Sequence, residues 1–312
     1  MSLNKCLVSS PATVANLGCG FDIMGLAIQE PLDRIGVKLN SNREIRISEI
    51  TGPEGHKLSF SPRENLMIHV LQCFTKKLGT KQGLDITLEK HVPLSSGMGS
   101  SAASSGGVLV AANALFDNPF NNDDLVTLAM EGEKFISGAW HADNVAPCIM
   151  GGLVVIPNYE PLSLVSCPFP EDLIVVVVHP HFELPTKEAR AALPKEIPLG
   201  LAVKQWGHVA AYVSSFFLQD KNGLARYMED FVIEPARAAL IPGFYDVKNA
   251  ALENGAIGCS IAGGGPSVFA FTFDQDQAET IASQMALAFK KHQIECDRFY
   301  SPINPNGCHL ID

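Results

Sequence analysis

Residues 93–107 read PLSSGMGSSAASSGG, four glycines and six serines in fifteen positions, the composition of a flexible linker. Yet a strand-like run, LDITLEKHV (84–92), stands directly before them, and an apolar helical run, VLVAANAL (108–115), follows. A structureless stretch of that length is uncommon inside a compact domain unless it is functional. Besides the linker, two readings fit. Gly97-Met98-Gly99-Ser100-Ser101-Ala102 matches a dinucleotide-binding fingerprint, which also needs an acidic residue closing a second strand about twenty positions on. Asp117 stands at that distance, but in the turn-like FDNPFNNDD. The other reading is a phosphate cradle: glycines let backbone N–H groups converge on an anion, and the following helix offers its positive N-terminus. No Gly-Lys-Ser/Thr follows, so it is not a Walker loop; serines at the helix start could bind phosphate and ligate magnesium. The loop by itself leaves these alternatives open.

The rest of the chain narrows them. Its 312 residues are 46% hydrophobic and 18% charged, with a net charge of −10. An acidic chain has no basic surplus with which to release counterions, which argues against nucleic acid or an anionic membrane as partner. An anionic ligand must then be held by a few local cations and backbone amides. The eight cysteines are scattered without C-x-x-C or zinc spacing and read as small buried hydrophobes in a reducing compartment. MSLNKCLVSSPATV lacks the pattern of a signal peptide, so the cytoplasm is the expected location.

A seam with four prolines, IPNYEPLSLVSCPFPED (156–172), suggests two domains, 1–160 and 161–312. In SPRENLMIHVLQCFTKKLG (61–79), Ser61, Pro62 and Glu64 form a capping signal ahead of an apolar stripe that Gly79 ends. A second helix should start at the NNDD cluster (121–124), with Leu125, Leu128 and Ala129 inward. Val203, Trp206, Ala210, Val213 and Phe217 mark the inner stripe of a third, and Ile281, Met285, Phe289 and His292 a fourth. Strands are expected over 85–92, 153–156, 173–179 and 268–273, without regular β-α alternation, which means an α+β fold.

Two further stretches, PATVANLGCGFDIMGLAI (11–28) and CSIAGGGPSVFAF (259–271), combine glycine turns with small residues. With the serine-rich loop, and in this order, they resemble the three signature motifs of the GHMP small-molecule kinases over nearly the whole chain. The resemblance implies a two-domain fold, an N-terminal ribosomal-protein-S5-like ATP-binding domain and a C-terminal ferredoxin-like domain that completes the substrate site. EGEKFISGAWHADNVAPCIMGG (131–152) and EPARAALIPGF (234–244) point to the branch that phosphorylates the hydroxyl of L-homoserine, in threonine biosynthesis. There Asn144 stands where other branches carry a catalytic aspartate. An amide cannot take a proton, but phosphoryl transfer depends mostly on positioning and charge neutralisation. Asp143 is the adjacent candidate base and reads as structural.

The resemblance also implies roles. Nucleotide would lie on Pro93, Leu94, Ser95, Ser96, Gly97, Met98, Gly99, Ser100, Ser101 and Ala102, with Asn65 near the base and Lys90 nearby. Mg2+, the implied cofactor of ATP, would be held by Ser101 and by Glu133, eleven positions before Asn144. Asp22 would take the substrate's ammonium, Asn16 position its hydroxyl, and Arg190 and Arg237 clamp its carboxylate, since arginine's fork matches a carboxylate. His141, Thr186 and Gly264 would line the same site, and a homodimer is the implied assembly. Two rivals remain: a GHMP kinase for another alcohol, which would not need two arginines, and a non-catalytic ligand sensor, which would not need the intact loop and Glu133.

Overall fold

Two helix-covered sheets organise the chain, for which the computed structural model describes residues 4–138 and 140–311, apart from the side chains of Ser137 and Thr186. The first sheet comprises β1 (Lys5–Ala15), β2 (Met24–Asn40), β3 (Ile45–Thr51), β4 (Gly83–Glu89), β5 (Leu153–Tyr159) and β6 (Leu162–Cys167). Strand β2 is long enough to serve two partners on one edge: Met24–Leu26 pair with β5, and Arg34–Asn40 with β4. Helices α1 (Leu66–Leu78), α2 (Ser100–Leu115), α3 (Asn122–Ser137) and α4 (Val145–Met150) belong to this half. Helix α2 is buried along nearly its whole length and packs on β1 and β2, so the serine-rich loop leads into the centre of the molecule.

The second sheet comprises β7 (Ile174–Pro180), β8 (Gly258–Ile261), β9 (Val268–Thr272) and β10 (Cys296–Pro302), antiparallel in the order β10-β7-β9-β8. With it come α5 (Thr186–Ala191), α6 (Leu199–Leu218), α7 (Lys221–Tyr227), α8 (Ile233–Ala238), α9 (Phe244–Glu253) and α10 (Gln275–Lys291). A last strand, β11 (His309–Ile311), returns to pair with β1. The α+β expectation holds. The run IVVVV reads as continuously apolar because β7 is buried on both faces: Ile174, Val176 and Val178 join one core, Val175 and Val177 the other.

Three expectations need correction. The boundary at 160/161 falls in the turn of the β5–β6 hairpin, whose two arms pair with each other in the first sheet. The chain crosses to the second sheet only after Cys167, through Pro168 and Pro170. The cap of α1 is Asn65, whose side chain accepts from the Met67 N–H at 3.0 Å. Ser61 and Glu64 instead close a turn just before it, and the Glu64 carboxylate takes the Ser59 hydroxyl at 2.7 Å. The inner stripe of α6 is rotated: Val203, Trp206 and Phe217 are exposed, whereas Ala202, Gln205, Tyr212, Ser215 and Phe216 face the core. A buried glutamine hides that face from a hydrophobicity pattern, and Gln205 is tolerated because its amide donates to Cys19 O (2.9 Å) and to Asp230 (3.1 Å).

The Tyr212 hydroxyl is buried with no hydrogen-bond partner among the described residues. An unsatisfied buried donor costs about 1–3 kcal/mol, so Tyr212→Phe should stabilise the protein by about 1 kcal/mol. Urea unfolding checks this: the midpoint should rise with an unchanged slope, and a fall would mean that the hydroxyl has a partner.

Candidate active site

The serine-rich loop is shaped by neighbours packed against its own backbone, the Ala262 carbonyl at Gly97 and the Thr13 side chain at Gly99. Gly97 and Gly99 have φ of +81° and +67°, and a Cβ would stand 2.4 Å from the Ala262 carbonyl oxygen and 1.9 Å from Thr13 Oγ1, respectively. Three hydrogen bonds fasten the loop from outside. Thr13 N–H donates to Met98 O (3.0 Å), Ser267 N–H to Ser96 O (3.1 Å) and Leu94 N–H to the Glu54 carboxylate (3.2 Å). Ser96 ties the loop to itself, donating to Pro93 O and accepting from Met98 N–H. The first-turn amides of α2 have no acceptor within the helix, and Ser100 and Ser101 carry them to the edge of a cavity of about 360 Å³.

That cavity runs between the two halves of the molecule. Leu94, Ser95, Ser96, Gly97, Gly99, Ser100 and Ser101 line it from the loop, and Asn16, Asp22, Glu133, His141, Asn144, Arg190, Arg237 and Gly264 line the remainder. Pro93, Met98 and Ala102 stand behind the lining, Met98 and Ala102 fully buried. Thr186 opens α5, but its side chain lies outside the described residues.

The two candidate metal serines behave differently. Ser100 turns its hydroxyl back to Val92 O at 3.0 Å, closing the loop, whereas the Ser101 hydroxyl bonds to the Glu133 carboxyl. Burial pushes the Glu133 carboxyl up, with the Ser101 bond opposing the shift. A carboxylate and a hydroxyl facing the same space as the loop suit a hard cation that takes oxygen ligands. Among the described residues no group of three or more His, Cys, Asp or Glu could hold a metal without further ligands.

Asn144 has its amide oxygen engaged by the Thr13 hydroxyl at 2.8 Å, which turns its NH2 group towards the cavity as a donor. Asp143 beside it is mostly protonated at neutral pH. Burial, then the neighbouring Asp22 and Glu133 charges, push its carboxyl up to about 8, so it already carries a proton.

The same cavity is lined by a cluster of mixed charge. Asp22, with φ of +59°, receives Arg190 Nη2 at 3.0 Å on both carboxylate oxygens. The same nitrogen donates to His141 Nδ1 at 2.7 Å, so His141 is neutral with its proton on Nε2. Burial first, against the Asp22 charge, and then the two arginines hold its pKa down. His141 Nε2 and Arg190 Nε are buried donors with no hydrogen-bond partner among the described residues. Arg237, 3% exposed on α8, donates to Ala189 O (3.3 Å) and Gly263 O (2.9 Å). Asn16 joins the halves: its oxygen accepts from Asp22 N–H at 3.0 Å and its nitrogen donates to Gly263 O at 2.7 Å.

One nucleotide contact needs correction. Lys90 does not reach the cavity: it is fully buried, paired with Asp33, and donates to Ser100 O (2.9 Å) and Ser104 Oγ (3.2 Å). Asn65 lines the cavity, but its amide is occupied as the cap of α1 and by Ser59 O, leaving one N–H for any ligand. Leu58, Leu66, Met67 and Ile136 supply an apolar wall beside it. Sequence reasoning also missed Thr13, Tyr159 and Phe21. The Tyr159 hydroxyl donates to Asp22 O at 2.7 Å. The guanidinium carbons of Arg190 and Arg237 lie 5.7 and 5.1 Å from the centre of the Phe21 ring. Only the position of Phe21 next to Asp22 could have signalled this.

The family of GHMP kinases N terminal domains matches residues 65–152, and that of GHMP kinases C terminal domains residues 212–291. A homoserine kinase of Chlorobium phaeobacteroides (strain BS1) is 44% identical over 96% of this chain and 97% of its own. One of Arabidopsis thaliana is 44% identical over 90% of this chain and 78% of its own. The crystal structure of homoserine kinase from Cytophaga hutchinsonii superposes with a TM-score of 0.94 at 42% identity, covering 100% of this chain and 98% of that one. Mevalonate kinase of L. major, at 14% identity and a TM-score of 0.74, shares the fold.

The raised Asp143 carboxyl has a thermodynamic signature. Unfolded, it titrates near ~4; folded, at about 8. Between these values the folded protein keeps a proton that the unfolded chain has lost. The stabilisation is therefore complete below ~4 and is lost as pH rises through 8, by at most ~1.4 kcal/mol per unit. Asp143→Asn removes this dependence in the metal-free protein. Its urea midpoint, relative to wild type, should climb steadily between about pH 5 and pH 8; parallel curves would mean that Asp143 is ionised.

Proposed function

Because the chain belongs to the homoserine kinases, a branch of the GHMP kinases, we propose that its cleft binds ATP on the serine-rich loop and L-homoserine on the Asp22–Arg190–Arg237 cluster. The enzyme transfers the γ-phosphoryl group of ATP to the side-chain hydroxyl of homoserine, giving O-phospho-L-homoserine and ADP, in threonine biosynthesis. The observation that carries the residue roles is a set of groups matched to a zwitterion lining the same cavity as an anion cradle. In the ligand-free site Asp22 and Arg190 neutralise each other. The amino acid would exchange that pair for two: its ammonium on Asp22, and its carboxylate on Arg190 and Arg237, with the unpartnered Arg190 Nε and His141 Nε2 as further donors.

Ser101 and Glu133 would hold Mg2+ when ATP is bound, and the ion would supply charge neutralisation for the phosphates. The Asn144 amide N–H groups, aimed by Thr13, donate to oxygen at the transfer point. No general base is assigned to the step: Asp143, the carboxyl beside Asn144, is mostly protonated at neutral pH. The oxygen attacks phosphorus in line, the bond to the β-phosphate breaks, and the proton leaves with the transferred phosphoryl group. Catalysis then rests on positioning and charge compensation. No helix among the described residues is long and apolar enough to cross a membrane, and we place the enzyme in the cytoplasm. A homodimer is the assembly we infer. Trp206, Val203 and Phe217 on the outer face of α6 would be covered in it.

The first experiment is ADP release with MgATP and, separately, L-homoserine, D-homoserine, L-serine, L-threonine, mevalonate and galactose. L-homoserine alone should turn over; turnover of another alcohol instead would remove the zwitterion assignment. Arg190→Ala should raise KM for homoserine by about ten-fold or more and leave KM for ATP nearly unchanged, because an unpaired buried carboxylate costs ~2–5 kcal/mol. Glu133→Gln should lower kcat by about 100-fold or more and weaken the dependence on magnesium; an unaltered magnesium response would move the metal elsewhere.

A further inference from the structure

The Lys90–Asp33 pair has a role beyond packing. Both side chains have zero exposure, and neither lines the cavity, so neither touches a ligand there. Removing two charges from water is costly, and an uncharged pair of the same volume often gives equal or greater stability. A buried pair is therefore better explained by the geometry it imposes. Here each charge grips a different end of the phosphate loop.

Asp33 holds the incoming strand: one carboxylate oxygen accepts from His91 N–H at 2.8 Å and Val92 N–H at 2.9 Å. Lys90 holds the outgoing helix: its ammonium donates to Ser100 O at 2.9 Å and Ser104 Oγ at 3.2 Å. The ammonium also bonds to the other Asp33 oxygen, and the Ser100 hydroxyl closes the mouth onto Val92 O at 3.0 Å. Every residue of the cradle lies between these two grips. The backbone of Lys90 is itself fixed, its N–H donating to Thr51 O at 2.9 Å.

We propose that Lys90 and Asp33 are positioning residues that set the width of the phosphate loop, and with it the affinity for nucleotide, without contacting the nucleotide. A loop of glycine and serine left ungripped would sample many conformations and lose that freedom on binding, at the expense of affinity. The Lys90 charge is neutralised by Asp33, so the pair acts through shape rather than by attracting phosphate. This proposal rests on the reading of the loop as the ATP site.

The test is the double variant Asp33→Asn, Lys90→Met, which removes both charges and keeps the volumes, with an amide oxygen still able to accept from His91 and Val92. Calorimetric titration with MgADP should show Kd raised by about ten-fold or more, with KM for ATP rising in parallel and KM for homoserine changing less than about two-fold. A merely structural role would instead move the melting temperature and leave MgADP affinity alone, and unchanged affinity overturns the proposal. Should the double variant not fold, Asp33→Asn by itself decides: a rise in Kd of about three-fold or more is expected, and none overturns it. If wild type binds MgADP but does not phosphorylate homoserine, the substrate assignment falls and calorimetry still judges this proposal. A wild type that binds no MgADP overturns both.

Discussion

The close approach of neighbouring atoms to the backbone of one loop is the constraint on which the site depends. The loop between β4 and α2 passes so close to Thr13 and Ala262 that no side chain fits at Gly97 or Gly99. Permissive residues allow that approach but hold nothing in place. Rigidity is supplied from outside, by Thr13, Ser267 and Glu54, and by the buried Lys90–Asp33 pair at its base. Flexible composition and a fixed conformation coexist because the order is tertiary.

The second sheet completes the same site from the other side. The Gly263 carbonyl accepts from both Asn16 and Arg237, and its N–H donates to Ala15 O at 3.2 Å. One glycine turn therefore fixes the first motif, the arginine from α8 and the back of the phosphate loop together. Phe21 lies against both guanidinium groups, an arrangement that keeps two like charges close in a partly buried setting. Asp22 offsets one of them, leaving the ligand-free cluster less polarised than its residue list suggests.

Much of the fold could be read locally. Four strands and the helices of the apolar stripes were expected near where they stand, as were the stop at Gly79 and a helix start within the NNDD cluster. The long β1–β2 hairpin was not. Its residues lie in a stretch whose glycine turns dominated the reading, and much of it is buried on both faces, so no period-two pattern marks it. The α6 face was misread because a hydrogen-bonded glutamine occupies the core side and tryptophan the outside. Nearly all of the candidate site could be named, because the glycine, serine and charged residues occur in short contiguous motifs.

The sequence by itself determined the motif residues, the α+β class and the chemistry those residue types could perform, since these follow from neighbours a few positions apart. Partnership was decided only in three dimensions. Lys90 pairs with a residue 57 positions away and Arg190 with one 168 away. Burial then converts such meetings into altered chemistry: a lysine expected near the nucleotide is a buried structural cation, and the Asp143 carboxyl is pushed up towards its protonated form. Ionisation and hydrogen bonding depend on the solvent and charges around a group. Those surroundings exist only once distant segments have packed together.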